Sequence, residues 1–137
     1  MPPYLDSAET FAAFLADFAA GRIPRAAWNH AAHLAYAAAT IQQGGGFDEI
    51  RAGILSYNAH QGIASTPDSG YHETITRFWA DRVTALVGAL GRGATPLDAA
   101  RAAVAAFARR GRLFDAYYSY DLVASREARA LYLPPDK

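Results

Sequence analysis

The chain has no cysteine, which excludes thiol nucleophiles, disulfides and thiolate metal ligands. It also lacks net charge: thirteen basic and thirteen acidic side chains cancel, and the isoelectric point is about 6.9. No general attraction to nucleic acid or to an anionic membrane follows from that balance. No apolar run reaches the roughly eighteen residues needed to cross a bilayer, because His, Arg or Asp interrupts the alanine-rich stretches. Met1-Pro2-Pro3-Tyr4-Leu5-Asp6 lacks the basic and apolar regions of a signal peptide, so a soluble cytoplasmic protein is the expectation. No segment alternates with a two-residue period, and without strands there is no place for a nucleophile elbow, a P-loop or a dinucleotide fingerprint.

What is present is helical. At 137 residues the chain is expected to form one domain, 1–137, burying roughly two thirds of its unfolded surface. Hydrophobic residues make up 52% and charged residues 19%, a globular composition and not a disordered one. Asp6 and Glu9 have the spacing of a capping box, followed by Phe11, Phe14, Leu15 and Phe18 at helical intervals and a stop at Gly21. A second helix is expected from Pro24 through the alanines of residues 25–43, ending at Gly44-Gly45-Gly46. A third runs from Phe47 to about His60. Thr66-Pro67 and Thr95-Pro96 each read as a cap with proline in the first turn: a fourth helix starts there or at Gly70 and runs to about Leu90, and a fifth runs to about Arg110. Ser125 caps a short helix with Glu127 and Arg129. The expected fold is all-α, a single bundle of five or six short, mostly antiparallel helices.

Chemistry concentrates in two motifs. Trp28-Asn29-His30-Ala31-Ala32-His33-Leu34 puts two imidazoles three residues apart, on one helix face. Gly70-Tyr71-His72-Glu73-Thr74 holds a third of the four histidines. Imidazole is the commonest protein ligand for zinc and related metals. His30, His33 and His72 are therefore a candidate set for a divalent ion (zinc, iron, nickel or manganese); the same residues can equally form a metal-free polar pocket, or be structural, with His30 and His33 hydrogen-bonded to backbone or carboxylate. Glu73 is the candidate general base or orienting group, with an ion pair to Arg77 as its simpler role. His72 and Tyr118 complete the candidate catalytic set, and Trp28, Asn58, Tyr71 and Ser119 are candidates to bind substrate. His60 reads as a solvated cation at a helix C-terminus. The Arg109-Arg110-Gly111-Arg112 cluster reads as a helix end, and Asp115 and Asp121 as turn residues.

The blocks Trp28-x-His30-x-x-His33-Leu34, Tyr57-Asn58, Gly70-Tyr71-His72-Glu73-Thr74, Tyr117-Tyr118-Ser119 and Ser125 with Ala128-Arg129 resemble a broad group of small bacterial proteins of unassigned function. The resemblance runs from about Phe11 to Asp136. It implies that the polar residues of these blocks converge, and it supplies no reaction. Where the group carries a tryptophan near the C-terminus, this chain has Leu131-Tyr132-Leu133.

Two functional classes follow. One is a small enzyme whose pocket is built from the histidine motifs, with the tail tyrosines closing over it. The other is a non-catalytic module that holds a small ligand, a partner helix or a second copy of itself. The enzyme reading expects His72 and at least one of His30 and His33 in one cleft, with Glu73 or Tyr118 beside them. Neither reading involves nucleic acid or a membrane.

Overall fold

Alanine decides how the middle of this molecule packs. The computed structural model describes residues 1–137 and contains six α-helices and no strand: α1 (Ala8–Ala19), α2 (His30–Gln42), α3 (Phe47–His60), α4 (Glu73–Gly88), α5 (Pro96–Phe107) and α6 (Arg126–Ala130). Single 3₁₀ turns at Pro3–Leu5, Arg25–Ala27 and Leu113–Ala116 punctuate the connections. Ala32, Ala35, Ala38 and Ala39 of α2 and Ala99, Ala100 and Ala103 of α5 are all fully buried or nearly so. With only a methyl group at each contact the two backbones approach closely, and α2 packs most extensively against α5 and next against α4. α2 is thus the central helix. Larger side chains from its neighbours, among them Phe11, Phe14, Phe18, Ile50, Ile54, Tyr57, Phe78 and Val83, complete one continuous core. No helix is long and apolar enough to cross a membrane.

Most helix ends follow the sequence signals, and three do not. Thr95 caps α5 with Pro96 at its first position, Ser125 caps α6, and Gly21 (φ 71°) turns the chain after α1. The box opening α1 belongs to Ser7 and Thr10, one residue on from Asp6 and Glu9. Ser7 takes the role because its short hydroxyl accepts from the Thr10 amide while Asp6 ends the preceding 3₁₀ turn. α2 starts at His30 and not near Pro24, because Asn29 adopts extended backbone and its side chain accepts from the Ala32 amide. Pro24 instead precedes the 3₁₀ turn that carries the chain to Trp28. Thr66-Pro67 opens no helix: Thr66 closes a tight turn on Ser69 through backbone and hydroxyl bonds. α4 begins only at Glu73, with His72 as its cap.

Candidate functional site

The first turn of α2 supplies two imidazoles whose tautomers are set by their partners. His33 lies in the α2 stripe facing Trp28, and its ring rests on the indole at 4.0 Å between centroids. His33 Nδ1–H donates to the Asn29 carbonyl at 2.8 Å. A carbonyl can only accept, so Nδ1 holds the proton and Nε2 is bare. That Nε2 has no protein partner and is not sealed from solvent. Burial pushes the His33 pKa down to about 4, against the opposing pull of the Asn29 bond and with a small added push from His30. His33 is therefore a neutral acceptor at physiological pH.

His30, one turn earlier, lies against Trp79 of α4 at 4.7 Å between ring centroids. Its Nε2–H donates to the Phe107 carbonyl at 3.1 Å, which leaves Nδ1 bare. Burial again lowers its pKa, with the Phe107 bond opposing. Each imidazole of α2 thus lies against one of the chain's two tryptophans.

His72 is built differently. Its Nδ1 accepts the Ile75 amide at 3.1 Å, and its Nε2–H donates to the Leu122 carbonyl at 2.8 Å. It is buried, and that burial lowers its pKa more than the Leu122 bond raises it. Both ring nitrogens are committed, one to starting α4 and one to tying down the segment before α6. No lone pair is left for a metal or a transferred proton.

His30, His33 and His72 line one cavity of about 500 Å³, together with Trp28, Asn58 and Tyr71. The rest of its wall is mainly apolar, with Leu34, Ile50, Ile54, Ile63, Ile75, Trp79, Phe114 and Val123. Asn58 is 8% exposed and its carboxamide has no protein partner, yet neither polar atom is sealed off. The only lining side chain with a formal charge is Arg112, and it is bound to Asp115 and Asp121.

Three candidate residues lie elsewhere. Glu73 points to the other side of the 64–72 loop, where its Oε1 accepts from the Tyr71 hydroxyl at 2.6 Å and from Arg51 Nε at 3.1 Å. It lines a separate groove with Arg51, Arg126 and Arg129, since consecutive residues entering a helix diverge by about 100°. Its partner is Arg51 and not Arg77, which pairs with Asp81. Tyr71 stands in the wall between cavity and groove. Burial and the Glu73 carboxylate hold its phenol protonated. Tyr118 is buried away from the cavity and donates to the Leu133 carbonyl at 2.7 Å. Ser119 binds Asp136 through its amide and hydroxyl. The Tyr-Tyr-Ser block thus pins the C-terminal segment to the bundle and does not close over the histidines.

A three-imidazole metal centre does not match this arrangement. No three His, Asp or Glu side chains stand close enough together to hold an ion, and His72 has no free lone pair. A metal here would rest on the bare nitrogens of His30 and His33 alone. His60 is exposed at the end of α3 and donates to the Ser56 carbonyl.

Two residues of the site were under-read in the sequence. Trp79 reads there mainly as a core residue of the α4 stripe, with a pocket as its lesser role, because nothing local marks which stripe residue meets a cavity. Asn29 carried a signal, since asparagine before a helical run is a preferred cap, but the alanines upstream extended the apparent helix past it. No family model, curated protein or solved structure matches the chain.

Proposed function

We propose that this protein binds a small, largely apolar molecule in the histidine cavity and holds its polar end by hydrogen bonds to neutral imidazole. The supporting observation is the bare Nε2 of His33: an unpaired acceptor, kept neutral by burial, in the wall of a mostly apolar cavity of about 500 Å³. Binding sites for small molecules share this character, a concave apolar surface with a few convergent polar groups. Because His33 accepts and does not donate, the ligand presents an N–H or O–H to it.

Both tryptophans line the cavity, so indole signals report occupancy directly. In a fragment screen followed by indole N–H resonances, binders are expected to shift both tryptophans and to weaken on His33→Phe, which keeps a ring and removes the acceptor. A library in which no compound perturbs either indole, or in which every binder is indifferent to His33→Phe, overturns the reading.

Catalysis is the second reading, and one observation favours it. His30 and His33 are one turn apart, each with a bare nitrogen, and close enough for His30 charge to depress His33. Two such bases in an apolar cleft can take a proton from a bound substrate. Incubating identified binders with the protein separates the readings: recovery unchanged supports a binding module, and His33-dependent consumption supports an enzyme.

A further inference from the structure

Among the polar groups lining the cavity, Asn58 is the one that is both buried and without a partner. The residue is 8% exposed, no protein group hydrogen-bonds its carboxamide, and the amide atoms keep access to the cavity. Its hydrogen-bonding capacity is therefore open to whatever fills the cavity, water or the polar edge of a ligand.

A carboxamide offers a donor and an acceptor side by side, and its natural complement is an acceptor next to a donor on one ligand edge. The walls add two further restrictions. Trp28, Trp79, Tyr71 and Phe114 bring aromatic rings to the cavity, which favours a planar ring system. The sole lining charge, Arg112, is already neutralised by two aspartates, so an ionic ligand would be desolvated without a free counter-charge. Resting on the small-molecule reading above, we propose that the cavity takes a neutral planar heterocycle with a lactam-type N–H/C=O edge, read by Asn58. Asn58 is then the residue that sets specificity, while the aromatic walls supply affinity that does not discriminate.

The test uses three bicyclic rings of similar size: 2-quinolone with the lactam edge, naphthalene without it, and 2-naphthoate with a charge. Dissociation constants come from ligand-observed NMR on the full chain. The quinolone is expected to bind about tenfold or more tighter than either of the others, the discrimination that a pair of hydrogen bonds supplies. Asn58→Leu is expected to bring quinolone and naphthalene within about twofold of each other, with thermal melting confirming the fold. Naphthalene binding as tightly as the quinolone to the unsubstituted chain, or a preference that survives Asn58→Leu, overturns the assignment and leaves Asn58 to water. If none of the three binds, the lactam assignment falls, and the small-molecule reading falls with it where the wider fragment screen is blank as well. That result is distinct, because in the former cases naphthalene still binds.

Discussion

The first turns of α2 and α4 pose the same problem and solve it with different residues. Each has backbone amides that no carbonyl of the same helix can satisfy, and each has histidine at or next to its start. In α2 the cap is Asn29, whose side-chain oxygen takes the Ala32 amide. That leaves the lone pairs of His30 and His33 unspent. In α4 the cap is the imidazole of His72 itself, and its remaining N–H is spent on Leu122. Three chemically identical side chains in one cavity wall thus divide into two available acceptors and one structural bracket. The division is made by whichever residue occupies the cap position, a matter of backbone bookkeeping and not of imidazole chemistry.

Removing the bracket is expected to have the largest effect. His72→Ala deletes the α4 cap, the bond to Leu122 and a buried ring, and is expected to cost about 2–4 kcal/mol in urea unfolding. His72→Asn keeps a capping oxygen and should recover roughly 1 kcal/mol of that. Equal losses for the two variants would show that the cap contributes nothing.

The α2 imidazoles are expected to show their state through pH. His33 falls from 6.5 in the unfolded chain to about 4 in the folded one, so between those values the unfolded chain binds more protons. The contribution is therefore complete above about pH 6.5 and is lost as pH falls toward 4, at up to roughly 1.4 kcal/mol per unit. His33→Phe is expected to cost about 1 kcal/mol at pH 7, from the lost bond to Asn29, and to be relatively more stable at pH 4.5. A gap between the two proteins that stays constant across this range would mean that His33 is not held neutral.

Glu73 is expected to matter least. Glu73→Gln weakens a partly exposed pair with Arg51, at a cost below about 1 kcal/mol. It should leave ligand affinity in the histidine cavity unchanged, since Glu73 faces the other side of the loop. A tenfold loss of affinity would mean that cavity and groove communicate through Tyr71, the residue common to both walls.

From the sequence alone came the helical class, five helix bodies, the sixth short helix behind Ser125 and the triplet spacing that puts His30 and His33 on one face. These are local matters, because apolar periodicity, capping side chains and glycine are read by the backbone within a few residues. Tertiary structure decided which of the singled-out side chains meet. Trp28, Asn58 and Tyr71 reach the histidines, whereas Glu73, Tyr118 and Ser119 do not. It also decided what the histidines are free to do, since the partners of His30 and His72 are carbonyls 77 and 50 residues away in the chain. Those bonds depend on how alanine faces let α2, α4 and α5 come together, and no spacing along the chain encodes an approach between helices.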